Sequence, residues 1–139
     1  MSKSNTTEND IVKFLFNNVA MPSYGSNLYL SLHTADPGEG GDQTTNEVFY
    51  TGASGDYARI AISRDAGGWT VSGNQSSNAA LAQFAVSNTG PVIATHLAIG
   101  TAASGAGQIL ASGALSASLT INNLVQPQFA IGGIVYQED

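Results

Sequence analysis

Turn-formers recur along this chain at intervals too short for helical crossovers, which rules out a parallel α/β layout. The separators are "ADPGEGG", "TGASGD", "DAGG", "SGNQSSN", "SNTGP", "TAASGAG" and "INN". All draw on the Gly, Asn, Asp and Ser that tight turns need. Between them the residues alternate apolar and polar, the period of a strand with one covered face. In "NLYLSLH", Leu28, Leu30 and Leu32 point one way, and Tyr29, Ser31 and His33 the other. "DYARIAIS" repeats the device with Ala58, Ile60 and Ile62 inward and Tyr57, Arg59 and Ala61 outward. "GWTVSG" makes a short strand, "LAQFAVS" offers Phe84 and Val86, and "ATHLAIG" offers Leu97 and Ile99. "ALSASLTIN" sends Leu115, Ala117, Leu119 and Ile121 to one face. "PQFAIGGIVYQ" adds Phe129, Ile131, Ile134 and Tyr136. About eight short strands in this pattern predict an all-β sandwich or barrel. No internal repeat recurs, which argues against a propeller or solenoid.

One helical pattern precedes the strands, over residues 7–19, "TENDIVKFLFNNV". Thr6 or Thr7 can cap it, and Glu8 and Asp10 sit at its positive end. Ile11, Leu15 and Val19 fall at i, i+4 and i+8, and Phe14 and Phe16 widen the stripe. Pro22 and Gly25 end it. A short helix this apolar needs a surface, and reads as a lid or docking element. The 139 residues favour one domain, 1–139, with a flexible start (1–6), the helix (7–19) and the sandwich (27–136).

Charge narrows the function classes. Only 10% of residues are charged, against about 25% in ordinary soluble domains. Between Asp65 and Glu138 there is no Asp, Glu, Lys or Arg. Free monomers use mixed charge for solubility and to blunt strand edges, so this stretch reads as a module packed against something. The net charge is −6, and Lys3, Lys13, Arg59 and Arg64 are the only basic residues. That argues against nucleic acid as a partner. No run reaches the length of a membrane helix, so no membrane partner is expected. The polar start lacks a signal-peptide core, and synthesis in a cytoplasm is the expectation. Cysteine is absent, which removes disulfides and thiolate metal sites.

Catalytic chemistry finds few candidates, and no enzyme is expected. No serine sits in a G-x-S-x-G elbow. His33, on the polar face of its strand, would need Asp36 and a further acid to converge; an inert surface histidine is the blander reading. His96 reads as a sheet or interface residue. Asp36, Glu39 and Asp42 in one glycine-rich loop could hold calcium, but their spacing does not match an EF-hand, and solvated acidic turns are far commoner. No metal or cofactor is therefore expected. Trp69 could stack on a sugar, or plug the core.

Taken in order, the apolar helix, "LYLSLHTADPGEGG", "NEV", "GDYARIAI", "SSNAALAQFAV", "THLAIGTA" and "GQILASGALSASLTI" resemble small virion proteins of tailed bacteriophages. These are described as capsid cement or decoration proteins and as head- or tail-fibre proteins. The resemblance spans about residues 8–136 and implies a jelly-roll-like antiparallel β-sandwich on the outer surface of a capsid, made in the host cytoplasm. It implies a cement role, binding the major capsid protein across subunit seams, with assembly as a homodimer or homotrimer. The alternative is a tail-fibre or receptor-binding module for host-surface glycan. Ile11, Phe14 and Leu15, with Met21 and Tyr24, are the expected contact on the helix side. Asp36, Glu39 and Asp42 in the 34–46 surface loop are the second.

Overall fold

The computed structural model describes residues 1–138. In chain order the elements are β1 (Ser2–Lys3), α1 (Asn5–Asn17), β2 (Asn27–His33), β3 (Ile60–Ser63), β4 (Trp69–Ser72) and β5 (Gln75–Asn78). They continue with β6 (Ala82–Gln83), β7 (Val92–Gly100), β8 (Ile109–Ile121), β9 (Gln128–Phe129) and β10 (Val135–Gln137). One sheet runs β1-β8-β7-β2-β3; a three-stranded sheet, β10-β5-β4, and a β6-β9 pair supply the second layer. Every pairing between these strands is antiparallel. The all-β sandwich with one N-terminal helix is thus the observed architecture.

Register builds the core. Leu30 lies opposite Ile99 and Leu32 opposite Leu97, so the period-two pattern puts all four on one face. Val48, Phe84, Ile121, Ile134 and Trp69 close over them. Tyr57 stacks on Phe84 with ring centroids 5.7 Å apart, and Phe129 meets Phe84 edge-on at 6.4 Å.

The other face of β2 departs from expectation. His33 was expected at the surface, yet Ser31 and His33 are fully buried. The 34–46 segment, expected as a long surface loop, folds back across this face and seats Gln43 and Pro37. The Thr45 carbonyl lies 2.8 Å from His33 Nδ1, and the Ser31 hydroxyl 2.9 Å from Nε2. With Nδ1 donating to the carbonyl, Nε2 accepts from the hydroxyl and the ring is neutral. Alternation separates two faces of a strand, but does not say which one stays wet.

"DYARIAIS" also inverts before Ile60: Ala58 is exposed and Arg59 is buried. Both carboxylate oxygens of Glu47 accept from the Arg59 guanidinium at 2.7 Å. The Ala102 and Gly105 carbonyls accept from it at 3.0 and 2.8 Å. These four contacts satisfy a charge that would otherwise be prohibitive inside. β5 lies in a stretch expected as a turn. It forms a hairpin with β4 around Gly73, whose φ of 61° glycine adopts without steric cost.

The start of the chain, expected to be flexible, is fastened. Ser2 and Lys3 pair with Ser112 and Ala111. Ser4, not Thr6 or Thr7, caps α1: its hydroxyl accepts from the Thr7 amide at 3.3 Å and donates to the Ile109 carbonyl at 2.5 Å. The helix therefore begins and ends two residues before the expected 7–19, and Asn18 stops it in the left-handed region at φ 54°.

Candidate assembly surface

α1 is held at one end only. The Asn5 amide donates to the Glu39 carbonyl at 2.9 Å. The Gln108 side-chain amide donates to the Thr7 hydroxyl at 3.1 Å and to the Asp10 carboxylate at 3.3 Å. Beyond Ile11 every residue from Val12 to Ala20 is exposed. Leu15 is 62% and Phe16 79% accessible, with Val12, Phe14 and Val19 close behind. At 3.6 residues per turn, Ile11, Val12, Phe14, Leu15 and Phe16 occupy an arc of about 200° on the helix, and Val19 follows just past the end of the helix. A helix apolar over so wide an arc is ordinarily covered. Here the outer half of α1 is an arm that none of the described residues covers.

Beside the arm lies a cavity of about 560 Å³, walled mainly by Ile11, Met21, Tyr24, Leu28, Trp69 and Ile99. Its polar edge is one cluster. Lys3 Nζ donates to Glu138 at 2.5 Å, and the Tyr136 hydroxyl donates to the same carboxylate. The Lys3 ammonium, then the Tyr136 hydroxyl, hold Glu138 below the usual carboxylate range. The Arg64 guanidinium stands over the Tyr24 ring, 5.6 Å from its centroid. Burial first, and the Asp10 carboxylate second, push the Tyr24 phenol up. Trp69 is 8% accessible, and its buried indole N–H has no partner among the described residues. The wall suits apolar contact with few directional bonds, and Trp69 offers no open face for a sugar to stack on.

The expected contact residues divide between these two features. Ile11, Met21 and Tyr24 line the cavity, whereas Phe14 and Leu15 project from the arm. Asp36, Glu39 and Asp42 do not converge. Asp36 accepts from the Gly38 amide at 2.8 Å, and Asp42 from the Thr44 amide and hydroxyl at 2.8 and 2.6 Å. The Thr44 bonds hold the Asp42 carboxyl below its ordinary value. Among the described residues no three His, Asp or Glu side chains come together as a metal-binding group. His96 lies directly across from His33, half-buried beside the Thr95 hydroxyl. Trp69 as a cavity wall was not legible as such. Its signal was the preceding Gly68, where a Cβ would stand 2.0 Å from the Ser63 carbonyl oxygen, so only glycine lets the turn close and send Trp69 inward.

No curated protein matches the chain significantly. The family model of the Podophage GP4 fiber I protein gp80 does match, over residues 2–137. The chain belongs to that family, and is a bacteriophage virion structural protein of the fibre type.

Proposed function

We propose that this protein is a non-catalytic structural subunit, fixed to the outside of the phage particle by apolar protein–protein contacts. The exposed arm carries the reading. Val12, Phe14, Leu15, Phe16 and Val19 together expose on the order of 500–600 Å², the upper end of what a free monomer tolerates. Contiguous apolar surface of that size marks an interaction site. The 34–46 segment, with Asp36 and Glu39 at its exposed turn beside the start of α1, supplies a second, polar contact.

A finer reading makes the partner the major capsid protein and the role cementing, with each copy bridging a seam between neighbouring subunits on the outer capsid surface. The burial of Trp69 favours it over a glycan-reading fibre tip, which needs an open aromatic face. Many equivalent weak contacts would then stabilise the shell by multivalency and mass action. Purified protein mixed with particles that lack it tests both levels. Saturable binding with a raised disruption temperature supports cementing. Saturable binding without heat stabilisation supports attachment as a fibre subunit alone. Binding to host cells or glycans in place of particles overturns the proposal.

A further inference from the structure

We infer that the 34–46 segment is a strap latched over His33, and that protonation of His33 unseats the strap and loosens the root of α1. The latch needs no partner, so it stands apart from the attachment proposed above.

The strap has a shaped seat. Gln43 is fully buried, in a slot that Gly100 and Gly107 leave open: a Cβ on either would stand 2.1 Å from the Gln43 side chain. Gln43 Oε1 accepts from the Ala102 amide at 2.9 Å, and the Gln43 backbone amide donates to the Gly107 carbonyl at 2.9 Å. One bond is missing, because Gln43 Nε2 is buried with no partner among the described residues. A buried donor left unpaired costs free energy, and lifting the strap into water removes that cost. The strap also holds the helix, since the Glu39 carbonyl accepts from the Asn5 amide at the start of α1.

The catch is the His33 ring. Its Nδ1–H is committed to the Thr45 carbonyl of the strap, and its Nε2 to the Ser31 hydroxyl. A proton on Nε2 would force that hydroxyl to accept, and its hydrogen then has no other acceptor among the described residues. No nearby carboxylate among them is free to meet the new charge. Glu47, bridged to His33 through the backbone, is already bound by Arg59 in both oxygens and by the Tyr57 hydroxyl. Asp36 and Glu39 of the strap are exposed, and Asp42 is turned to Thr44. From β7, His96 lies directly across, so any charge on it opposes another positive charge, as Arg59 does. A buried cation without a counter-ion is prohibitive, whereas the strap is held by few bonds. In the open form the ring is wet and titrates near its ordinary value, about 6.5. Below that pH the open form takes a proton that the closed form refuses, and the balance moves toward opening.

Amide hydrogen exchange on the full chain, corrected for the intrinsic rate at each pH, reads the latch. Between about pH 6.5 and 5, protection of the Gln43, Ala102 and Asn5 amides should fall by up to about tenfold per pH unit. The amides of β7 and β8 should keep theirs, which separates opening of the strap from global unfolding. His33→Asn places a side-chain amide near the Nδ1 position and cannot titrate, so in that variant the fall should disappear. His96→Gln should retain it. A measurement on the native protein stands beside the variants: nitrogen NMR of the His33 ring should show it gaining a proton only in step with the lost protection. A ring that protonates while those amides stay protected overturns the inference. So does a fall that persists in His33→Asn, one that vanishes in His96→Gln, or one shared equally by β7 and β8.

Discussion

Arg59 and Phe16 break the same rule in opposite directions. At Arg59 a charge lies inside the molecule; at Phe16 a phenylalanine lies outside it, 79% accessible. The first exception is settled within the chain. Glu47 takes the guanidinium in both of its oxygens, the Ala102 and Gly105 carbonyls take two more of its N–H donors, and the Tyr57 hydroxyl bridges Glu47 to the Leu32 amide. The second has no compensation among the described residues of its own chain. A buried charge with its counter-ion and two carbonyls around it is a finished piece of architecture. An exposed apolar arm with a cavity at its root is surface that its own chain leaves uncovered among the described residues.

The sharpest way to break this comparison is to remove the compensation at Arg59. Arg59→Ala leaves the Glu47 carboxylate, only 18% accessible, without its counter-charge, and strands two carbonyls. Losing one partner of a buried pair costs about 3–5 kcal/mol. Urea unfolding should show that loss as a lower midpoint with an unchanged slope. A loss below about 1 kcal/mol would mean the cluster behaves as an ordinary surface ion pair, and the contrast with the arm would dissolve.

How far the sequence disclosed each region follows from the same physics. β2, β7 and β8 were legible because their apolar residues keep a period of two over a long run. Arg59 misled because its partner, Glu47, lies twelve residues back in a loop, and alternation carries no information about charge pairs. β5 offered Gln75, Ser76, Ser77 and Asn78, with no apolar residue to betray a strand. β1 pairs through its backbone, and short polar ends carry no signal for that. The arm's composition was legible and its exposure was not, since periodicity says which residues share a face and never what covers them. That split Ile11, Met21 and Tyr24 in the cavity from Phe14 and Leu15 outside it.

A smaller effect sharpens the inner side of the comparison. Burial lowers the His33 pKa, with Thr45 and Glu47 opposing the shift more weakly. The unfolded value is about 6.5, so below that pH the unfolded chain binds a proton that the folded chain refuses. Stability is full above about pH 6.5, falls as the pH drops toward the lowered folded value, and levels off beneath it. One such group gives a slope of at most about 1.4 kcal/mol per pH unit. Unfolding free energies of the native protein and His33→Gln, measured between about pH 7 and 5, should show the flatter slope in the variant. Equal slopes would mean the His33 ring is not held neutral by its burial.

The smallest expected effect lies in the arm. Val12→Ser removes an apolar side chain that is 54% accessible, so little transfer free energy is lost on the folded side. Valine and serine have similar helix propensities, and α1 is fastened through Ser4, Thr7 and Asp10, all on the near side of Val12. In dilute solution the unfolding free energy should change by no more than about 0.5 kcal/mol. The same substitution should weaken binding of the protein to phage particles, because it removes apolar surface from the face proposed to attach it. A loss above about 1.5 kcal/mol in dilute solution would show that Val12 is packed within its own chain. A small loss in dilute solution together with weaker particle binding would show instead that the arm serves a contact outside its own chain.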